Sequence, residues 1–161
     1  MMMVASQLLL ATAVVVPVVI LHLVGLALLV RAMRSHSRVF RSVRIRPLTL
    51  LLSVILGIIA IHTIEIWLFA GLYLYLGAFQ TLEESLYFST VTYSSLGYGD
   101  LVLPERWRLF GSIECPVGII LLGMSTAFII SVLVKFRLLG HDWLSGEENP
   151  DNHDRVHNSL N

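Results

Sequence analysis

Apolar residues fall along this chain in three runs much longer than a buried core element requires. Leu8–Val30 carries no Lys, Arg, Asp or Glu. Thr49–Leu76 holds only His62 and Glu65 as ionisable groups apart from its tyrosines, and Arg108–Phe136 holds charge at its ends and at Glu114. At 1.5 Å per residue the first run spans about 35 Å and the second about 42 Å. All three exceed the roughly 18 residues that mark a membrane span. Between the second and third lies a different pattern. Glu83–Ser94 is amphipathic and about 12 residues long, too short to cross. It is followed by Ser95-Leu96-Gly97-Tyr98-Gly99-Asp100, in which two glycines flank a tyrosine and give the backbone conformations closed to other residues. Ser89, Thr90, Thr92, Tyr93, Ser94 and Ser95 crowd hydroxyls just before the glycines. Lipid cannot satisfy so polar a loop, so it must line a cavity or be buried in protein. The pattern predicts an all-α membrane protein: three transmembrane helices, with a re-entrant helix and a loop between the second and third.

Composition agrees with that class and excludes others. The 161 residues are 56% hydrophobic with zero formal net charge, and the mean hydropathy is +0.79. No bulk attraction to nucleic acid follows. The single cysteine, Cys115, cannot form an intrachain disulfide and reads as a small buried hydrophobe. Leu8–Val30 reads as a retained span rather than a signal peptide, because no Lys or Arg precedes it and it is long for a signal core. Pro17 is expected to kink it.

Charge placement predicts topology. Arg31, Arg34, Arg38, Arg41, Arg44 and Arg46 fall between the first two runs, which makes that connection cytoplasmic. With Lys135, Arg137 and Arg155, nine of the eleven Lys and Arg residues lie on that side and two, Arg106 and Arg108, on the other. The N-terminus and the glycine loop are therefore expected outside and the C-terminus inside. The organisation predicted is an N-terminal span at 1–30, a basic loop or interfacial helix at 31–47, a unit at 48–139 (helices 49–76, 83–94 and 107–136, with the loop 95–100), and a disordered polar tail at 140–161. Tyr73 and Tyr75 are expected at the membrane interface. Glu83 and Glu84 complement the N-terminal dipole of the short helix.

Ser95-Leu96-Gly97-Tyr98-Gly99-Asp100 resembles the T-V-G-Y-G-D selectivity filter of potassium channels. The preceding short helix is similar to the family's pore helix, and Gly118, ten residues after Arg108, is similar to its inner-helix hinge. The resemblance covers roughly Leu50 to Phe136 and implies a potassium channel pore domain with one extra N-terminal helix. It further implies potassium ions as the transported species, bound at Ser95, Leu96, Gly97, Tyr98 and Gly99 by backbone carbonyls and the Ser95 hydroxyl. One strand cannot encircle an ion, so a homotetramer is implied. Supports are expected from Tyr87, Thr92, Ser94, Asp100 and Glu114, with Tyr87 donating to Asp100. Ser95 and Leu96 stand where the family usually has threonine and valine or isoleucine. Tyr87 and Phe88 replace its Trp pair, and Val91 occupies a position that some members fill with glutamate. Glu114 takes over from that carboxylate, or else pairs with Arg108.

Ionisable groups within spans are candidates for function. His22 and His62 each lie about 21 Å from the predicted outer ends of their helices, and Glu65 is one turn from His62. A mid-membrane polar contact that docks the first span is expected among these three, either as structural hydrogen bonding with no gating role or as a pH-sensitive gating element, with a metal site as a further alternative. Pro116, Gly118 and Gly123 are the candidate gating hinge, Gly123 being read more readily as a close-packing residue. Arg31, Arg34, Arg38, Arg41 and Arg44 suit anionic lipid at the inner leaflet; a solvated loop or a voltage sensor are the alternatives. Passive conduction is the function implied. A non-conducting partner subunit remains open on Ser95 and Leu96, and a metallohydrolase built on His62 and Glu65 has no nucleophile motif.

Overall fold

The computed structural model describes residues 2–39 and 47–135, with side chains over 5–34 and 49–135. Its elements are α1 (Met2–Val39), α2 (Pro47–Tyr75), α3 (Leu82–Tyr93), a 3₁₀ turn at Glu105–Trp107, and α4 (Arg108–Lys135). Among the described residues there is no strand. Among the described residues three helices are long and apolar enough to cross a membrane: Ala5–Arg34, Thr49–Tyr75 and Glu105–Lys135. The tail at 140–161, Arg137, Arg41, Arg44 and Arg46 lie outside the described residues, as does the side chain of Arg38.

Helix α1 does not end near residue 30 as expected but continues to Val39. No Gly or Pro occurs between Gly25 and Pro47, and Arg, Ala and Met are good helix formers. The basic stretch therefore starts as a continuation of the span. Pro47 opens α2 at the first helical position, where its missing N–H costs nothing. Helix α2 ends through a Schellman motif: Gly77 stands at φ 63°, Gly77 N–H reaches Leu74 C=O at 3.1 Å, and Ala78 N–H reaches Tyr73 C=O at 2.9 Å. Helix α3 begins with a capping box. Thr81 Oγ1 accepts from Glu84 N–H at 3.1 Å and Glu84 Oε2 accepts from Thr81 N–H at 3.2 Å.

Two apolar clusters hold the helices together. The larger, at the α3 end, gathers Phe69, Tyr73, Phe79, Tyr93, Leu103, Phe110 and Leu121 with Ala11 and Val18 of α1. Tyr73 is its hub, with ring centroids of Phe88 at 5.2 Å and Phe110 at 5.8 Å, both edge-on. The interfacial position expected for Tyr73 is thus incorrect: it is fully buried, while Tyr75 is 86% exposed. Two residues apart on a helix are 200° apart, so the pair cannot share a face. The smaller cluster, at the opposite end, joins Val54, Ile58 and Val132 with Leu26, Leu29 and Met33. Apolar residues such as Leu56, Ile59, Ile120 and Ile130 point outward, as they do where lipid or another subunit is the neighbour.

Gly118 is where α4 comes up against the backbone of α3. A Cβ there would collide with the backbone carbonyl of Tyr93 at the end of α3. Gly118 therefore lets α4 pass directly beneath that end. Gly123, read from sequence as the packing glycine, has open space around it within the chain. Gly118→Ala should destabilise the detergent-solubilised protein by about 1–3 kcal/mol, read as a lowered unfolding temperature, and Gly123→Ala should leave it unchanged.

Candidate functional site

The loop after α3 is built by the way that helix stops. Ser94 caps it, and Ser95 follows in the left-handed region at φ 62°. Ser95 N–H then bonds Thr92 C=O at 3.0 Å, and Leu96 N–H bonds Val91 C=O at 2.9 Å. This is a second Schellman motif, with serine where glycine is usual. Gly97 and Gly99 follow at φ 54° and 76°, whereas Leu96 and Tyr98 between them do not have positive φ. The sign of φ therefore alternates residue by residue from Ser95 to Gly99. Ser94 through Asp100 are all exposed in the single chain, so this subunit leaves the loop uncovered.

Side chains pin the loop at both ends. Tyr87 Oη donates to Asp100 Oδ2 at 2.6 Å. That hydrogen bond is the main cause of the Asp100 carboxyl lying below its ordinary range and the Tyr87 phenol lying above its own. At the other end Ser95 Oγ lies 3.4 Å from Cys115 Sγ, and Cys115 is half-buried rather than enclosed. Ser94 Oγ returns to Thr90 C=O at 2.7 Å, and Thr92 contributes through its carbonyl rather than its side chain.

Behind α3 stand two buried carboxylates. Glu114 of α4 accepts from Ser89 Oγ and from Tyr73 Oη, both at 2.6 Å. It faces the short helix; its alternative partner, Arg108, instead donates to Leu103 C=O at 3.2 Å and sits 3.9 Å from Glu105. Glu65 of α2 accepts from Tyr93 Oη at 2.5 Å and lies 2.9 Å from both His22 Nδ1 and His62 Nδ1. The structure thus brings His22, His62 and Glu65 together and adds Tyr93 and Ser125, neither of which was anticipated. His62 Nε2 is 3.0 Å from Ser125 Oγ. Tyr73, Ser89, Tyr93, Ser125 and Cys115 are the site residues the sequence reading missed. Only the Thr81-Leu82-Glu83-Glu84 cap and the hydroxyl run 89–95 carried a local signal for this side of the site.

Pro116 lies within α4 without ending it, as Pro17 lies within α1. Arg31 and Arg34 are exposed at the end of α1 away from the loop.

Residues 49–135 match the model of a protein family described as Ion channel. The chain belongs to that two-helix ion-channel family. Helices α2 to α4 and the loop form the matched segment, and α1 is an additional N-terminal helix. No curated protein and no solved structure matches the chain. The channel is accordingly a multi-pass membrane protein, and in it the loop at 95–100 is suspended from α3, itself gripped from behind by α2 and α4.

Two measurements probe these supports. Tyr87→Phe removes the bond to Asp100, so the Asp100 carboxyl should titrate at a higher pH than in the wild type, as followed by NMR of the labelled channel. The sign follows from its lowered native value: the Tyr87–Asp100 contact is intact at neutral pH and is lost as pH falls through that value. Glu114→Ala should cost on the order of 2 kcal/mol in unfolding experiments because it strands the buried Tyr73 hydroxyl, whereas Ser89 keeps the Ile66 carbonyl at 3.0 Å as an acceptor. Glu114→Gln, which keeps an acceptor, should cost markedly less.

Proposed function

We propose that this chain is a potassium-selective channel in which four copies surround one pore and ions pass passively. The observation that carries the reading is the alternating backbone of Ser95–Gly99. Carbonyls of Ser95, Leu96, Gly97 and Tyr98, with the Ser95 hydroxyl, would replace the water around an unhydrated cation. A single exposed row supplies one side of such a site, and cyclic symmetry supplies the rest. The C-terminal end of α3 adds a negative dipole beside the loop and favours cations.

In this reading the loop opens to the outside, the N-terminus is external and the C-terminus cytoplasmic. Arg31 and Arg34, with Arg38, Arg41 and Arg44 beyond them, meet anionic headgroups of the inner leaflet. Helix α4 would bend around Pro116, with Gly123 as the free joint and Gly118 as the packed pivot. His22, His62 and Glu65 dock the additional helix onto the pore.

The purified protein in liposomes should carry potassium flux against a sodium control and be blocked by barium. Gly97→Ala should lower that flux at least about tenfold, since a left-handed alanine costs ~1–2 kcal/mol in every subunit. Absence of flux alone, with flux restored by a second channel subunit, would replace this reading with that of a partner subunit. Equal sodium and potassium flux would remove the selectivity.

A further inference from the structure

Glu65, His22, Ser125 and His62 form a closed ring of polar contacts. Glu65 Oε1 meets His22 Nδ1 at 2.9 Å, and His22 Nε2 meets Ser125 Oγ at 3.5 Å. Ser125 Oγ meets His62 Nε2 at 3.0 Å, and His62 Nδ1 returns to Glu65 Oε2 at 2.9 Å. Three helices, α1, α2 and α4, are thereby joined through side chains, and Tyr93 of α3 hangs on the ring by its hydroxyl. His22 and Glu65 are fully buried and Ser125 is 4% exposed. Water therefore has little access to fill a missing contact.

Each contact in the ring needs one hydrogen between its two atoms. An ionised Glu65 brings none, Ser125 brings one and each neutral imidazole brings one. That leaves the ring one hydrogen short of its four contacts. With both Nδ1 atoms protonated toward Glu65, both bare Nε2 atoms face a single hydroxyl, and one contact becomes lone pair against lone pair. One added proton closes it. That imidazole then donates to Ser125 Oγ, and Ser125 donates to the other imidazole. The charge of the ring becomes zero, one imidazolium against one carboxylate, which suits a site half-way along membrane-spanning helices. A second added proton would leave the Ser125 hydrogen without a partner in the ring and the site positively charged.

We propose that the ring is a buried proton-binding site that holds one proton shared between His22 and His62, and that this proton closes the polar contact between α1 and α4. The titratable groups facing it among the described residues are His22 from α1, His62 and Glu65 from α2, and Tyr93 from α3. From α4 only Ser125 enters the ring; Glu114 of that helix is taken up by Tyr73 and Ser89. The Tyr93 hydroxyl donates to Glu65 and so adds no vacancy. Without the proton the Ser125 hydroxyl donates to the nearer Nε2, that of His62 at 3.0 Å, and the His22–Ser125 contact that joins α1 to α4 opens.

The inference rests on the ring and not on potassium conduction, so a failed flux assay and a failed proton count are separate results. Nitrogen NMR of ¹⁵N-histidine-labelled channel in liposomes, assigned with His22→Gln and His62→Gln, counts the protonated ring nitrogens. Three of the four in His22 and His62 should carry hydrogen near neutral pH. Two or four would overturn the proposal. Glu65→Gln supplies its own N–H to His22 Nδ1 while its carbonyl accepts from His62 and Tyr93, so the ring closes with both imidazoles neutral. The count should fall from three to two while the fold is kept. Ser125→Ala, which removes the atom the extra proton is donated to, should also give two. In detergent the unfolding temperature of the wild type should fall as pH is raised, and this fall should be smaller in Glu65→Gln. Equal pH dependence in the two proteins would overturn the proposal. So would wild-type spectra that change on adding EDTA, because a metal ion rather than a proton would then sit between the histidines.

Discussion

A short helix that stops part-way through an apolar slab needs something other than lipid to hold it, and two carboxylates meet that need. Ser89 and Tyr93 stand four residues apart on α3 and therefore share a face. Glu114 of α4 takes the hydroxyl of the first and Glu65 of α2 the hydroxyl of the second. Each carboxylate is fully buried and each has a further partner, Tyr73 for Glu114 and the histidines for Glu65. Removing one side of such a pair strands a buried charge or donor, so the two contacts are far more consequential than surface pairs of the same length. Position along α3 is set by these contacts, by the capping box at its start and by the bare Gly118 at its end.

The loop inherits its geometry from that placement. A helix fixed at both ends delivers Ser94 to a defined point, and the Schellman turn at Ser95 sends the chain back from there. The same turn closes α2 with Gly77, where the left-handed residue costs nothing. At Ser95 it carries the steric cost of a Cβ, and the hydroxyl has Cys115 Sγ within 3.4 Å. Gly97 and Gly99 continue the alternation, and Tyr87 ties Asp100 to the outer surface of α3.

The additional helix is integrated with the channel rather than appended. Gln7 accepts from the Phe110 N–H at the start of α4, one of the amides that no helix satisfies for itself. Ala11 and Val18 enter the main apolar cluster, Leu26, Leu29 and Met33 the second, and His22 lies between the two. Polar contacts therefore hold α1 near its start, at Gln7, as well as half-way along, at His22.

Sequence alone determined the class of this protein. Length and continuity of apolar runs decide spans, because the bilayer sets one thickness for all of them. A run too short to cross, followed by glycines among hydroxyls, can only re-enter, and the glycine–tyrosine motif carries the family resemblance without further context. The convergence of His22, His62 and Glu65 was also legible, since ionisable residues at equal depth in neighbouring helices have few other partners. Tertiary structure decided the rest. Which of Tyr73 and Tyr75 is buried depends on helix rotation, which α2, apolar all round, does not encode. Ser125, Ser89 and Cys115 are unremarkable in their own helices and acquire roles only from what lies opposite. The continuation of α1 past residue 30 and the left-handed Ser95 are backbone outcomes that compete closely with alternatives until the neighbours are in place. Periodicity and composition report how a segment meets its solvent; the partners of a buried polar atom are set by long-range packing, and that is where this site is made.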